Sequence, residues 1–356
     1  MARNQTTRVF AGGAHYTTRA GEKYRGGLFR RSPGDAQWES LTAGLPDQVE
    51  ARVIRLHPGK RDVVYAGTQD GPYRSLDGGN RWERLGFPER GAVIWTLEFH
   101  PGRPEVMYAG TAPFALYRSL DGGDTWRKLE GAVSPEHCPM DFPTRAIGLA
   151  ANPAKPDELY AALEVSGVIR SADGGETWAD LSAPLIDLAD KPQLKSRIGG
   201  STDAEGMLDS HAIVMSAAHP DRVILAVRMG LFRSDDQGRH WTDMEVGRFS
   251  PLTYCRAVVV SPHDPRTLYA GLSPASRSTD GSLYRSDDLG STWRRYDRGI
   301  KANATMMAIS VHPADPNQVY CVSRCGQVFG TADGGETWHE WPLPKGVEDV
   351  YAVACG

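Results

Sequence analysis

An eight-residue segment recurs along this chain and constrains its fold more than any other feature. Its form is Ser/Thr-x-Asp-x-Gly-x-x-Trp, and six full copies begin at residues 75, 119, 171, 234, 286 and 331. A divergent seventh copy, Ser-Pro-Gly-Asp-Ala-Gln-Trp, occupies residues 32–38. Sequence repeats of this period are typical of solenoids and propellers, in which each copy is one supersecondary unit.

The residues of this segment suit a tight hairpin turn. The Asp carboxylate can accept hydrogen bonds from backbone N–H groups of its own turn, and the following Gly permits a positive φ. The Trp supplies a large ring that can pack on a neighbouring strand. Four copies directly follow an aromatic residue and an Arg, as Tyr117 and Arg118 do. The segment therefore predicts a turn between two antiparallel strands.

The motif resembles the Asp-box of the BNR (bacterial neuraminidase) repeat, Ser-x-Asp-x-Gly-x-Thr-Trp, and the resemblance covers nearly the whole chain. In that family the box folds the outer hairpin of a propeller blade. The resemblance implies a structural role for the box carboxylates, not a catalytic or metal-binding one. These carboxylates are Asp77, Asp121, Asp173, Asp236, Asp288 and Asp333.

Around each box the chain repeats four strand-like segments, as a propeller blade requires. A first strand ends in a His-Pro-like turn, a second strand follows, and the third and fourth strands flank the box. The turn is a feature of the repeat, so it accounts for its histidines without a ligand or catalytic role. These histidines are His57, His100, His219 and His312.

The first repeat lacks its first strand. It begins at residues 8–12, which match the second strand of the other repeats, and residues 350–354 match the missing first strand. We therefore predict an all-β fold: a single seven-bladed β-propeller over residues 1–356, closed by the C-terminal strand joining the N-terminal blade. Blade 1 would comprise residues 8–42 plus 347–355.

Composition excludes several functional classes. The formal charge of −4 over 356 residues argues against a nucleic-acid partner, whose binding surface would be basic. No apolar run is long enough to span a bilayer, and the N-terminus leads into a strand with no secretory signal. The five cysteines form no Cys-x-x-Cys pair, which favours reduced thiols in a cytoplasmic protein.

The repeats differ at four insertions. The first and last join a second strand to a third, and the other two join a fourth strand to the next first strand. Both kinds of connection emerge on one face of an antiparallel blade, so we expect all four on one face of the ring. Loops displayed by a rigid scaffold commonly carry function. The insertions are residues 14–26, 130–143, 182–209 and 274–281.

The same face receives the beginnings of the innermost strands, which should surround the mouth of the central channel. Arginine and aromatic residues are more frequent there than packing requires. One position aligns Arg52, Trp95, Arg145, His211, Arg256, Met307 and Tyr351. Two residues earlier lie Glu50, Val93, Pro143, Asp209, Tyr254, Thr305 and Asp349. The second strands add Gln69, Asp70, Glu164, Arg228 and Arg324, and the insertions add His15 and His137.

This pattern predicts a site for a small anionic molecule, because converging guanidinium groups bind carboxylate or phosphate bidentately. His211 would act as the acid/base of a hydrolase or lyase, since imidazole titrates near neutrality, and Asp209 would orient it. Tyr351 completes the catalytic set. The predicted binding residues are Arg52, Arg145, Arg256, Trp95, Glu50, Arg228, Tyr254, Glu164 and His15, with Trp95 and Tyr351 stacking on the ligand.

Three alternatives stay open at this stage. The Arg and Glu residues of the mouth could simply pair with one another around water. No cofactor is indicated, but a divalent metal ion could be held by His211, Asp209, His15, His137 and Glu164, although their spacing is no metal signature. A non-catalytic scaffold could instead dock a protein or peptide partner on its Arg-rich face.

The family resemblance adds little about chemistry. Sialidases of this type hold a carboxylate with three arginines, and here Arg52, Arg145 and Arg256 would correspond, with Tyr351 or Tyr254 as the nucleophile. The chain has no Arg-Ile-Pro motif, and its arginine spacing follows the blade period. Classical sialidase activity is therefore not expected, and relatives that bind proteins or peptides imply the scaffold function equally.

Overall fold

A computed structural model describes residues 7–18, 20–197, 199–200 and 202–356. Seven four-stranded antiparallel sheets follow one another along the chain, and an additional two-stranded hairpin lies in the first insertion. In six sheets the strands occur in sequence order from the innermost to the outermost. Two short α-helices lie in the third insertion. Within the described residues no helix is long and apolar enough to cross a membrane.

The strands are numbered in chain order. Blade 1 contains β1 (Val9–Gly13), β4 (Gly27–Arg31) and β5 (Glu39–Ser40), with β2 (Tyr16–Thr17) and β3 (Lys23–Tyr24) forming the additional hairpin. Blade 2 contains β6 (Ala51–Leu56), β7 (Val64–Thr68), β8 (Gly71–Ser75) and β9 (Glu83–Arg84). Blade 3 contains β10 (Val93–His100), β11 (Arg103–Ala112), β12 (Leu116–Ser119) and β13 (Arg127–Lys128). Blade 4 contains β14 (Ala146–Ala151), β15 (Leu159–Leu163), β16 (Gly167–Ser171) and β17 (Ala179–Asp180).

The helices α1 (Ala183–Leu188) and α2 (Glu205–Leu208) follow blade 4. Blade 5 contains β18 (Ser210–Ser216), β19 (His219–Val227), β20 (Gly230–Ser234) and β21 (Thr242–Asp243). Blade 6 contains β22 (Tyr254–Val260), β23 (Leu268–Ser273), β24 (Ser282–Ser286) and β25 (Arg294–Arg295). Blade 7 contains β26 (Met306–Val311), β27 (Val319–Ser323), β28 (Gln327–Thr331) and β29 (His339–Pro342), and β30 (Val350–Cys355) ends the chain. Single 3-10 turns occupy Pro192–Leu194 and Val246–Arg248.

The last strand closes the ring, as the sequence predicts. Blade 1 has the order β30-β1-β4-β5, with Val9 paired to Cys355 and Phe10 to Ala354. The prediction of a seven-bladed propeller closed in this way is confirmed. Hydrophobic clusters fill the spaces between neighbouring blades, and one of them joins Phe10 and Leu28 of blade 1 to residues of blade 2.

The box turns have the hydrogen bonds expected of them. In blade 3, Asp121 Oδ1 accepts the backbone N–H of Thr125 (2.9 Å) and the hydroxyl of Ser119 (2.8 Å). The Ser119 hydroxyl also accepts the N–H of Gly123, and the Trp126 indole donates to the Gly123 carbonyl. These carboxylates are occupied by their own turns, which accounts for their recurrence without any ligand.

Three histidines of the first turns, His57, His100 and His312, have a comparable structural role, whereas Nδ1 of His219 has no hydrogen-bond partner among the described residues. Nδ1 of His57 accepts the N–H of Gly59, and Nδ1 of His100 accepts that of Gly102. Asn152 replaces the histidine in blade 4, and its Oδ1 accepts the N–H of Ala154. The side chain at this position therefore caps a turn.

Gly44 shows how closely blades 1 and 2 approach. Its φ is +82°, and a Cβ added there would lie 1.9 Å from the carbonyl oxygen of Trp82. The backbone of Trp82 also donates to the carbonyl of Ala43. Only glycine combines the left-handed backbone with this contact.

Candidate functional site at the channel mouth

A β-bulge begins the innermost strand of every blade. In blade 2, Ala51 pairs with Thr68 and Val53 with Gly67, so Arg52 is the additional, unpaired residue. Bulges re-aim side chains and are frequent next to functional sites. The equivalent residues of the seven blades are Tyr351, Arg52, Trp95, Ile147, His211, Arg256 and Met307, which we call the bulge ring.

The predicted alignment of blade 4 was wrong by two residues. The register places Ile147 in the bulge ring and Arg145 two residues earlier, level with Asp209 and Tyr254. The cause is that β14 begins at Ala146, two residues later along the chain than the alignment assumes. Arg145 therefore lines the mouth at the level of Asp209 and Tyr254, two residues before the bulge ring.

The mouth encloses a cavity of about 240 Å³. Its walls come from blades 3 to 7 and blade 1, and from insertion residues that include Phe142 and Arg277. Five arginines and two carboxylates line it. The lining residues are Trp95, Met140, Phe142, Arg145, Glu164, Val165, Asp209, His211, Arg228, Tyr254, Arg256, Ser276, Arg277, Arg324 and Tyr351.

Most charged groups of the mouth are paired. Arg145 Nη1 lies 2.7 Å from Glu164 Oε2, and Arg228 Nε lies 3.0 Å from Asp209 Oδ2. The Asp349 carboxylate accepts Arg324 Nε at 2.7 Å and lies 3.6 Å from Arg277 Nη2. The alternative that these residues pair with one another therefore describes most of them.

Arg256 is the exception. It lines the cavity, and its side chain makes no hydrogen bond or ion pair with any described residue. Burial alone would lower the pKa of Arg256, but nearby Tyr254 and Glu164 outweigh burial and raise it. The guanidinium is therefore a fixed positive charge whose donors face the cavity unmatched.

His211 is anchored from two sides. Its Nδ1 lies 2.7 Å from the carbonyl oxygen of Cys255, and since a carbonyl only accepts, Nδ1 carries a proton. Its Nε2 lies 3.3 Å from the Tyr254 hydroxyl and 3.4 Å from Asp209 Oδ2. The orienting partner is therefore the Cys255 carbonyl, while Asp209 faces the nitrogen that could exchange a proton.

Asp209 is held ionised. Its side chain is 7 % exposed, and burial would raise the pKa of Asp209. His211 and Arg228 outweigh burial and hold that pKa at about 2. Asp209 therefore serves as a fixed negative charge and not as a proton donor near neutrality.

The aromatic residues of the mouth contact arginines instead of leaving open stacking faces. The guanidinium carbon of Arg52 lies 4.5 Å from the centroid of Trp95 and 5.3 Å from that of Tyr351. Arg145 lies 5.0 Å from Trp95 and 4.9 Å from Phe142. These cation–π contacts fix the directions of the two guanidinium groups. Trp95 and Tyr351 therefore position arginines, and their stacking on a ligand stays a prediction.

Four predicted residues lie outside the cavity wall. Arg52 supports Trp95 from behind and pairs with Glu50 at 2.5 Å. His15 Nδ1 accepts the N–H of Gly26 within the first insertion. His137 Nε2 lies 2.6 Å from Asp180 at the outermost strand of blade 4.

These contacts also correct the proposed metal set. His15 and His137 are engaged in separate insertions, and Glu164 is engaged by Arg145. Among the described residues, no three His, Cys, Asp or Glu side chains form a group that could hold a metal ion.

Two insertions deliver cavity-lining residues that sequence reasoning missed, namely Met140, Phe142, Ser276 and Arg277. Arg277 lies with its guanidinium carbon 4.2 Å from the centroid of Tyr16, and this contact links the last insertion to the first. Arg324 Nη1 donates to the Ser276 carbonyl at 2.5 Å. The prediction that the insertions gather at the mouth could have drawn attention to Arg277, since it is the only arginine within residues 274–281.

Comparisons with known proteins show several similarities. A family model described as "Sortilin, neurotensin receptor 3" matches residues 281–353. The xyloglucanase Xgh74A of Acetivibrio thermocellus is 24 % identical over 234 residues, which are 58 % of this chain and 27 % of that protein. The chain thus spans about a quarter of this curated relative.

Solved structures extend the likeness of fold. The GH74 xyloglucanase from Xanthomonas campestris has a TM-score of 0.61 at 21 % identity, covering 85 % of this chain and 46 % of that chain. YCF48 from Cyanidioschyzon merolae has a TM-score of 0.58 at 17 % identity, covering 86 % and 88 %. YCF48 bound to D1 peptide has a TM-score of 0.50 at 14 % identity, covering 83 % of each chain.

The closed ring and its repeated turns define a seven-bladed β-propeller. The comparisons support a propeller of the BNR type, since the family model matches residues 281–353 and the xyloglucanase of Xanthomonas campestris shares the fold. Its similar proteins include both hydrolases and a propeller solved with a peptide.

Proposed function

We propose that the channel mouth binds the anionic group of a small carboxylate- or phosphate-bearing molecule at Arg256. The supporting observation is that Arg256 lines the cavity with no partner among the described residues, whereas Arg145 and Arg228 there are paired. A guanidinium presents a planar pair of donors that matches carboxylate and phosphate. The excess of arginines over carboxylates in the wall attracts anions as well.

The paired groups restrict which ligand fits best. Arg145 and Arg228 are neutralised by Glu164 and Asp209, so a ligand gains little by competing for them. Arg277 is 52 % exposed and lies 3.6 Å from Asp349, at the edge of the cavity. A ligand with a single anionic group at Arg256 and a polar remainder toward Arg277 suits this distribution of charge.

A catalytic role would belong to His211. Its Nδ1 proton is fixed by Cys255, so Nε2 would exchange the proton in a hydrolase or lyase reaction. The hydrolase names of the xyloglucanase relatives favour this candidate. Glycosidic cleavage by two carboxyl groups needs one protonated carboxyl, a role that Asp209 does not fill because its pKa is held at about 2.

A second candidate is a binding propeller without chemistry, whose mouth receives an acidic group of a protein or peptide. The observation that favours it is the pairing of both carboxylates in the cavity wall, which leaves neither free for acid/base work. The similar fold of YCF48, solved with a peptide, also favours it. Arg256 would then hold the acidic group of the partner.

Isothermal titration calorimetry with small carboxylates, phosphates and acidic sugars tests the site. We expect at least one of these to bind, and Arg256→Ala to weaken that binding roughly 10- to 100-fold, as loss of a charged hydrogen-bonding group does. Arg294→Gln on an exposed outermost strand is the control and should bind normally. Equal binding by wild type and Arg256→Ala would overturn the assignment.

Turnover separates the two candidates. Any bound ligand that wild type converts should be bound but not converted by His211→Gln, which keeps a side chain able to donate to Cys255. Undiminished turnover in that variant would remove His211 from the chemistry. Binding by wild type without conversion of any bound ligand would favour the non-catalytic propeller.

A further inference from the structure

The central channel holds a second cavity, of about 240 Å³, beyond the bulge ring. The innermost strands of blades 2 to 6 form its walls, and His211 is the one residue that it shares with the mouth. Most of its lining is small or apolar, including Ala212, Val214 and Val258. This part of the channel therefore differs in chemistry from the arginine-rich mouth.

Strand periodicity determines which residues face this lumen. Side chains alternate between the two faces of a strand, so the residues one and three positions beyond the bulge share a face. The pairing of each innermost strand with its second strand identifies the residue three positions after the bulge in every blade. This ring consists of Arg55, Glu98, Ala150, Val214, Val259, Ser310 and Ala354. Its only charged members are the neighbours Arg55 and Glu98.

The Glu98 carboxylate lacks hydrogen-bond donors. No described residue donates a hydrogen bond to it, and Arg55 Nη2 lies 3.9 Å from its Oε2. Arg55 Nε instead donates to the Leu97 carbonyl at 3.0 Å. A carboxylate offers about four acceptor sites, and leaving them unsatisfied away from bulk water is costly. Glu98 therefore faces the lumen with its acceptor sites open and with Arg55 as a distant ion-pair partner.

We infer that this cavity binds a small protonated amine with a short apolar body, its ammonium group hydrogen-bonded to Glu98. A charge-assisted hydrogen bond is the strongest that a lone carboxylate can make, and the apolar walls suit an alkyl chain. A divalent metal ion needs several oxygen ligands, and the described residues provide no such group here. An anion would be repelled by Glu98.

The test uses n-butylammonium chloride as the probe, with n-butanol as its neutral counterpart. Binding is followed by isothermal titration calorimetry at pH 8.5 and by ligand-observed NMR. Glu98→Gln removes the charge and should weaken n-butylammonium binding at least tenfold. Val214→Phe narrows the lumen without touching Glu98 and should weaken it comparably. Glu130→Gln, an exposed carboxylate outside the channel, is the matched control and should bind as wild type does.

The outcomes are distinct. Binding of n-butylammonium but not n-butanol, lost in both lumen variants and retained in the control, supports the site. Equal binding of n-butanol, unaltered binding by Glu98→Gln, or no binding by wild type overturns it. Burial raises the pKa of Glu98 to about 7, so affinity should also be roughly 30-fold weaker at pH 5.5, where little of the carboxyl is ionised. This inference does not depend on anion binding at Arg256, and either can fail alone.

Discussion

Glu98 should make the stability of the ligand-free protein fall as pH rises toward neutrality. Its side chain is 29 % exposed, on the channel lumen. Burial raises the pKa of Glu98 from 4.5 to about 7, against the opposing effect of Arg55. The other lining residues are neutral, apart from Arg55 and His211. Replacing Glu98 by Gln removes the titration while keeping the shape of the side chain.

The direction in which stability changes with pH follows from proton linkage. Between pH 4.5 and about 7 the folded protein binds a proton at Glu98 that the unfolded chain has released. Stability therefore declines as pH rises through this window. A shift of about 2.5 units at about 1.36 kcal/mol each gives about 3 kcal/mol in total. The free energy of unfolding of Glu98→Gln, relative to wild type, should rise by about that amount across the window.

Equilibrium urea unfolding of both proteins at pH 4.5, 6, 7 and 8 measures this difference. The Glu130→Gln control should show a difference from wild type that stays constant with pH. If the Glu98→Gln difference were also constant from pH 4.5 to 8, Glu98 would titrate normally in the folded state. The physical argument for an unsatisfied carboxylate in the lumen would then be refuted.

Three further changes test the packing and charge arguments, each by urea unfolding against wild type. Gly44→Ala should cost about 2–4 kcal/mol, because its Cβ meets the Trp82 carbonyl at a positive φ; near-wild-type stability would contradict that contact. Ser119→Ala should cost about 1–2 kcal/mol, since it leaves the Gly123 N–H without its acceptor; no loss would mean that the box hydroxyl is dispensable. Asp209→Asn should lower the free energy of unfolding by about 2–3 kcal/mol at pH 7. This loss should shrink as pH falls from 3.8 toward 2, because the pKa of Asp209 in the folded protein lies at about 2. A loss that does not change with pH would exclude the charge of Asp209 as its source.

Much of the fold could be predicted because it depends on local, repeated chemistry. The box turn at Ser119 and Asp121 is built from hydrogen bonds within one short segment, so the sequence alone specifies it. Counting turns and strands then gave the blade number and the closing strand. The same counting failed at Arg145, because an insertion of variable length precedes that strand and no local signal marks where pairing begins.

The site was less predictable because its partners come from different blades. The position of Arg256 near the mouth follows from the repeat, but its lack of a partner depends on where every neighbouring carboxylate points. Asp349 pairs with Arg324 across the closing seam, and no sequence spacing reveals that contact. Glu98 was overlooked because a single Glu in an apolar strand gives no motif. Only the geometry of the closed ring shows that Glu98 faces a lumen in which no described residue donates a hydrogen bond to it.

The closing strand also determines how the ring would respond to force. Val9 pairs with Cys355, and the backbones of Arg8 and Gly356 exchange hydrogen bonds of 2.9 and 3.1 Å. The two ends of the described chain therefore leave the ring side by side, at the same end of one antiparallel pair. Tension between them acts across that pair and loads its hydrogen bonds one after another from this end. The hydrogen bonds between β1 and β30 would break in sequence at low force. The other six blades lie between these two strands along the chain, so they carry no load until β1 and β30 have separated.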